Sequence, residues 1–302
     1  MQLGRKGFWV AICCLVAQAG LAQDNAVPEK GKWQVRDLSF QYGLNTRVGT
    51  LVQTADFAKL MPDSEILKRD LSGFNRTSST YIDPVSAASV LVGFNLRDYD
   101  AATSRPLHQF RVGLTYFSNG GLYNSYSRLT RTPSDTLTSP QTGQQIFLDS
   151  VHHEHISMGY SAEQIHLDAS YLLRFNLDAR FSFFTGFGAT AGFSLNSYSN
   201  VSDTHWGTLE GRDAGGNYIY LSNSSGASHR DTYEAVTNKT SYGFSAYVPI
   251  GIDFRVSRRG NLFSKMHLFL ETRPGINFLV VPELRTFKKA QQATSLGLRI
   301  KV

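Results

Sequence analysis

The sequence predicts an all-β fold, a single eight-stranded antiparallel up-and-down β-barrel that crosses a membrane and carries long extracellular loops. Three observations lead to this prediction. Apolar residues alternate with small or polar ones in eight separate segments. Short and long connections between these segments alternate strictly, which is typical of membrane barrels with an even number of strands. A length of 302 residues suits one large β domain.

The first residues predict an exported protein. Arg5 and Lys6 precede an apolar run that is too short to cross a membrane, and Gly20-Leu21-Ala22 resembles a cleavage site for a signal peptidase. The predicted organisation is a signal peptide over 1–22 that is cleaved near Ala22, a periplasmic lead-in over 23–32 and the barrel domain over 33–302.

Both cysteines of the chain, Cys13 and Cys14, lie within this signal. The mature chain is therefore expected to hold no disulfide and no thiolate metal site. Without Arg5 and Lys6 the formal charge falls from +6 to +4, and the remaining basic residues are dispersed, so the sequence predicts no nucleic-acid partner.

The predicted strands follow the alternation in chain order. They cover 38–45, 88–97, 110–117, 165–176, 181–195, 242–255, 266–271 and 296–302. The short connections are 98–106, 177–179 and 257–261, and the long loops are 49–85, 118–161, 196–241 and 273–294. In the first long loop, the spacing of Ile66, Leu67 and Leu71 predicts a short helix that caps the barrel mouth.

The stretch RFNLDARFSFFTGFGATAGFSL shows what each face of a strand does. One register from Phe181 is mostly phenylalanine and alanine, and the other is glycine and hydroxyl residues. The apolar register is expected to face lipid. The glycine register is expected to face a narrow lumen, where it leaves space for long side chains from other strands. A soluble lipocalin-like periplasmic carrier, with the apolar face inside, is the alternative fold.

Charged residues recur in the register assigned to the lumen. Because an unpaired buried charge costs several kcal/mol, they are expected to form a structural network of ion pairs, with a conducting pore as the alternative. The predicted network comprises Arg111, His166, Asp168, Arg174, Asp253, Arg255, Glu271 and Arg299.

The sequence predicts no metal site, no cofactor and no enzymatic activity. The densest group of metal-type ligands is VHHEH, in which His152, His153 and His155 are candidates. Two imidazoles on one side of a strand fall short of the three or four ligands of a zinc site, so His205 or His229 would have to complete it. Serine and histidine are plentiful, but no spacing singles out a nucleophile and its base.

The central segment ISMGYSAEQIHLDASYLLRFNLDARFSFFTGFGATAGFSLNSY resembles the PorT-like group of Bacteroidetes-type outer-membrane β-barrel proteins. This resemblance implies the outer membrane as location, with outer-membrane lipid, lipopolysaccharide and the barrel-insertion machinery as partners. It implies little about activity. Many barrel proteins end in an aromatic residue, whereas this chain ends in Val302.

A structural or surface-interaction role is expected, with an extracellular ligand bound through the long loops. The 196–241 loop contains GGNYIYLSNSSG, a composition suited to adaptable contacts. A small pore and an accessory role in envelope secretion or assembly are the alternatives.

Overall fold

The computed structural model describes residues 33–302 except 51, 78–79, 97–105, 140, 142, 177–178, 214, 220–228 and 258–262. The predicted signal peptide and lead-in lie outside the described residues. Among these described residues the fold has one short helix and twelve strands. They are β1 (Trp33–Thr50), α1 (Thr54–Leu60), β2 (Asn75–Arg76), β3 (Thr80–Leu96), β4 (Leu107–Thr138), β5 (Gln145–Phe175), β6 (Phe181–Asp213), β7 (Tyr218–Ile219), β8 (His229–Thr237), β9 (Tyr242–Tyr247), β10 (Ile250–Arg255), β11 (Met266–Val280) and β12 (Thr286–Lys301).

The strands hydrogen-bond in an antiparallel ring. The order β1, β3, β4, β5, β6 continues through β9 and β10, which both pair with β6 and with β11, and then through β12, which pairs back with β1. The predicted all-β antiparallel fold is therefore confirmed. The strand number differs from the predicted eight, in part because β9 and β10 are separated at Val248 and Pro249, where proline has no N–H to donate to the sheet.

Three of the four predicted long loops, 118–161, 196–241 and 273–294, are largely strand among the described residues. β4, β5 and β6 have 32, 31 and 33 residues; β4 and β5 run through most of 118–161, and β6 continues to Asp213 within 196–241. In the same way, β11 and β12 leave only residues 281–285 as a turn within 273–294. We call the outer parts of the three longest strands the β4–β6 extension, defined as residues 127–138, 145–155 and 204–213. The prediction was wrong here because polar residues occupy most positions on both faces of these segments, so they lack the regular alternation that marks a half-buried strand.

Inside and outside of the ring have opposite chemistry. Leu296 and Phe187 are 64% and 65% exposed on the outer face, whereas Asp168 and Glu271 are fully buried inside. Glycines make room for the large interior side chains: a Cβ atom on Gly188 would lie 2.4 Å from the ring of Tyr247. This use of glycine is the one that the sequence predicts.

Segment 52–77 closes one end of the ring as a lid. Phe57 and Leu60 of α1 are buried in an apolar cluster that includes Ile156 and Met158 of β5 and Leu279 of β11. A helix in this segment was predicted, but at Ile66 to Leu71. Ile66 is buried in the same cluster, yet it lies in a turn, so its spacing reflects packing rather than helix. No helix among the described residues is long and apolar enough to cross a membrane.

Candidate functional site

The interior holds three layers of charged side chains. In the lower layer, next to the two ends of the described chain, Asp253 accepts hydrogen bonds from Arg299 at 2.8 Å and from Arg174 at 3.2 Å. Asp253 also contacts Nδ1 of His267. Asp37 pairs with Arg299 at 3.2 Å. All five side chains are buried, so the layer neutralises its charges without solvent.

The middle layer is a second closed set of ion pairs. Glu271 accepts two hydrogen bonds from Arg111, at 2.8 and 3.0 Å, in the bidentate geometry that suits a guanidinium. Arg273 donates to Glu271 at 2.5 Å and to Asp168 at 2.7 Å. The Tyr247 hydroxyl donates to the other oxygen of Asp168. Two arginines and two carboxylates balance each other here.

The upper layer lies below the lid. Lys289 donates to Asp83 at 3.0 Å, and Arg47 lies with its guanidinium carbon 4.9 Å from the centre of the Phe117 ring. All three charged residues are at most 4% exposed.

The structure brings six of the eight predicted network residues into the lower and middle layers, and places the other two elsewhere. His166 is buried and contacts Thr190 at 3.0 Å and Gln164 at 3.3 Å, without an ion pair among the described residues. Arg255 is half-buried at the end of β10, beside His267 in the strand register. The six are Arg111, Asp168, Arg174, Asp253, Glu271 and Arg299.

Sequence reasoning missed five charged residues of these layers. Asp37 and Arg273 continue lumen registers that the pattern already identified, two residues before Ser39 and two after Glu271. Extending each register by one step would have found them. Asp83 and Lys289 fell in segments that were assigned to loops, and Arg47 follows Asn45 on the lumen face of β1.

The histidines of VHHEH lie in the β4–β6 extension on different faces. The ring of His153 stacks on Trp206 with a centroid distance of 4.9 Å, and the exposed His152 contacts Ser150 at 3.4 Å. Within the described part of the chain, no three histidine, cysteine or acidic side chains are grouped as metal ligands would be, and His155 joins no such group.

The outer face of the extension combines charged and aromatic side chains. Arg131 pairs with Glu210 at 3.0 Å and lies 5.5 Å from the ring centre of Tyr218. Arg212 pairs with Asp149 at 2.5 Å, and this hydrogen bond raises the pKa of the guanidinium. Tyr218 itself is 63% exposed. The surface offers guanidinium, carboxylate and aromatic groups on a continuous antiparallel sheet.

The inner face of the extension holds the lid. Arg128 donates twice to Glu154, at 2.7 and 2.8 Å, and its guanidinium carbon lies 4.5 Å from the ring centre of Phe74 in the lid. Arg69 of the lid reaches Glu154 at 3.4 Å and also pairs with Asp203. The strands β5 and β6 therefore both contact the lid through one arginine.

No protein-family model and no curated protein matches the sequence. Solved structures with some similarity include Neisserial surface protein A, at 10% identity over 90% of this chain and 99% of that chain, with a TM-score of 0.34. Ail, the attachment invasion locus protein of Yersinia pestis, solved with the heparin analogue sucrose octasulfate, has 8% identity over 88% of this chain and all of its own, with a TM-score of 0.24. The Pseudomonas putida toluene transporter TodX has 8% identity over 91% of this chain and 90% of its own, with a TM-score of 0.19.

Proposed function

We propose that this protein is a non-enzymatic outer-membrane β-barrel whose β4–β6 extension presents a contact surface outside the cell. The observation that carries the proposal is the inverted distribution of side chains around the ring. Apolar residues such as Leu44 and Phe183 are more than half exposed on the outer face, while the charged residues of three layers are buried inside. Lipid is the solvent that suits such an outer face.

The ring geometry supports the same proposal. If β9 and β10 count as one interrupted strand, and if the short pairings of β2, β7 and β8 are set aside, eight strands form the wall. A closed ring leaves no sheet edge unpaired in hydrocarbon, where each unsatisfied backbone group costs several kcal/mol. A lipocalin-like carrier would need the reverse arrangement, with its apolar residues around an internal cavity.

The packed interior favours a structural or interaction role over a small pore. The charged layers neutralise most of their own groups, and the apolar cluster under the lid occupies the opposite end. An accessory role in envelope secretion or assembly is a second candidate. The expected partners remain outer-membrane lipid, lipopolysaccharide, the insertion machinery and an extracellular ligand of the extension.

Single-cysteine labelling tests the proposed topology. The only cysteines of the chain are Cys13 and Cys14 in the predicted signal peptide, so a new cysteine gives a specific signal. Asp135 is exposed near the tip of the extension, and Ala179 is exposed in the short connection between β5 and β6. Intact cells that express Asp135→Cys should react with a membrane-impermeant maleimide. Cells that express Ala179→Cys should react only after the outer membrane is permeabilised.

The unsubstituted protein measures background labelling, and migration on gels with and without boiling checks that each variant is folded. Labelling of both cysteines in intact cells, or of Ala179→Cys alone, would contradict the proposed orientation. Recovery of the protein from the soluble periplasmic fraction would contradict the membrane proposal and support the carrier.

A further inference from the structure

The outer face of the wall carries a polar stripe on one side of the ring. On β11, β12, β1 and β3, two neighbouring rows of the outward register hold hydroxyl, amide and proline side chains and one leucine. We call these eight residues the wall stripe, and none of them carries a charge. In the strand pairing the rows consist of Thr272, Thr294, Leu44 and Ser86, and of Pro274, Gln292, Thr46 and Pro84.

The wall stripe points away from the lumen and lies between apolar rows. Thr46, for example, stands between Asn45 and Arg47, which are both buried inside the ring. The exposed residues of the adjacent rows include Leu270 and Leu296 on one side and Val48 and Ile82 on the other. Because apolar side chains lie on both sides of the stripe, it falls within the apolar zone of the wall and not at the edge of that zone.

The opposite side of the ring has a different outer face. β5 lies four strands from β12 in either direction when β9 and β10 count as one strand. The outward side chains of β5 between Ile165 and Phe175 are all aliphatic or aromatic. Lipid alone therefore suits the β5 side, whereas the stripe needs hydrogen-bonding partners.

The stripe satisfies only part of its own hydrogen-bonding capacity. The Nε2 atom of Gln292 donates to the Thr272 hydroxyl, which donates to the backbone carbonyl of Ala293 at 3.2 Å. The Oε1 atom of Gln292 and the hydroxyl of Thr46 have no partner within the described part of the chain. An amide in an apolar environment without a hydrogen-bond partner costs free energy, so a polar partner at Gln292 would be favoured over lipid tails.

A second copy of this chain matches the stripe. Two barrels with the same orientation in a membrane can be related by a two-fold axis along the membrane normal, and a residue at this axis meets its own copy at the same depth. A primary amide has both donor and acceptor, so two Gln292 side chains can exchange two hydrogen bonds. The stripe has no charges to repel each other, and small side chains such as Thr46 and Ser86 allow close approach, as they do between helices in membranes.

We propose that two copies of this protein associate in the membrane through their wall stripes, with the two Gln292 side chains paired across the two-fold axis. The proposal rests on the proposed membrane location and adds a partner within the membrane. Since β5 lies on the opposite side of the ring, the contact surface of the β4–β6 extension stays accessible in the pair.

Disulfide cross-linking tests the proposed axis in native membranes. Outer membranes from cells that express Gln292→Cys or Thr46→Cys are oxidised with copper phenanthroline, and the products are separated without reductant. Both variants should give a band at twice the mass of the chain. Leu167→Cys, which is exposed on the outer face of β5, is the matched control and should stay monomeric. Migration with and without boiling checks that each variant is folded.

The outcomes separate this proposal from the one on which it rests. Cross-linking of Gln292→Cys no stronger than that of Leu167→Cys, with the protein in the outer-membrane fraction, would overturn the pairing and leave the proposed function standing. A cross-linked band of another mass would assign the stripe to a different partner and also overturn the pairing. Recovery in the soluble periplasmic fraction would overturn both proposals.

Sedimentation equilibrium in detergent measures the pairing without a cross-link. The wild type should be a dimer, and Gln292→Leu should raise its dissociation constant about tenfold, the usual order for hydrogen bonds between membrane segments. Leucine suits a lipid-facing position, so this variant is expected to fold. Gln145→Leu, which removes an exposed glutamine at the start of β5, should associate like the wild type. A monomeric wild type, or equal dissociation constants for Gln292→Leu and the wild type, would overturn the proposal.

Discussion

At the scale of single residues, Glu271 is a buried carboxylate that two buried arginines share. It is fully buried and pairs with both Arg111 and Arg273. Replacing Glu271 by Gln leaves two buried guanidinium groups without their shared charge, and breaking a buried pair costs about 3–5 kcal/mol. We expect Glu271→Gln to lower the free energy of unfolding by about this amount, as measured by urea unfolding in detergent.

The matched control for this prediction is Glu210→Gln on the extension. Its ion pair with Arg131 has side chains that are 41% and 30% exposed, and pairs of this kind contribute about 0–1 kcal/mol. A loss for Glu271→Gln no larger than for Glu210→Gln would mean that the interior is hydrated and open rather than packed.

Gly188 provides a second test at this scale. A Cβ atom there would lie 2.4 Å from the Tyr247 ring, whose hydroxyl is held by Asp168 and cannot move away freely. We expect Gly188→Ala to destabilise the protein by about 1–3 kcal/mol, the usual effect of overpacking. Ala189→Val, on the exposed outer face of the same strand, should change stability by less than about 0.5 kcal/mol. Equal effects in the same unfolding assay would place Gly188 outside the packed lumen.

The sequence predicted these interior residues wherever the strand register was clear. Arg111 and Glu271 could be assigned to the lumen because their neighbours alternate strictly. Which charges pair could not be predicted, because partners such as Arg111 and Glu271 lie 160 residues apart and meet only through ring closure. Lys289 was missed because alternation was not recognised around it.

At the scale of elements, the main error concerned the length of the strands. Residues 128–138 of β4 are strand but exposed on nearly every position. Where a sheet has water on both faces, neither face needs apolar residues. The sequence of such a strand therefore need not alternate between apolar and polar residues. A periodic pattern therefore marks the part of a strand that has one apolar and one polar face, and it does not show where the strand ends. The lid helix was misplaced for a related reason, since Ile66 is buried without being helical.

The lid gives a prediction at this scale. Arg69 joins the lid to Glu154 of β5 and Asp203 of β6. We expect Arg69→Gln to speed amide hydrogen exchange in residues 53–74 while exchange in the strands below stays unchanged, because local openings depend on local contacts. Lys68→Gln is the control, since Lys68 pairs only with the exposed Glu65 of the same segment among the described residues. Faster exchange throughout the barrel would show that the lid is part of one cooperative unit.

At the scale of the whole molecule, the filled interior predicts that the barrel does not conduct ions. Paired charges in three layers and the apolar cluster under the lid occupy the lumen among the described residues. We expect purified protein in planar lipid bilayers to show no stable conductance steps in potassium chloride. Removing residues 53–76 should leave this result unchanged, because the charged layers remain. Steps in the wild type would favour the pore, and steps only in the shortened variant would identify the lid as its gate.

The pairing of β1 with β12 also has a kinetic consequence. Neighbouring strands elsewhere in the wall follow one another along the chain, and β4, β5 and β6 form two long successive hairpins. The β1–β12 seam instead joins Asp37 to Lys301, at the two ends of the described chain. Contacts between distant residues form slowly because the entropy of closing the intervening chain must be overcome first. The central hairpins are therefore expected to act as the folding nucleus, and the zipping of the terminal strands as the slow last step of assembly.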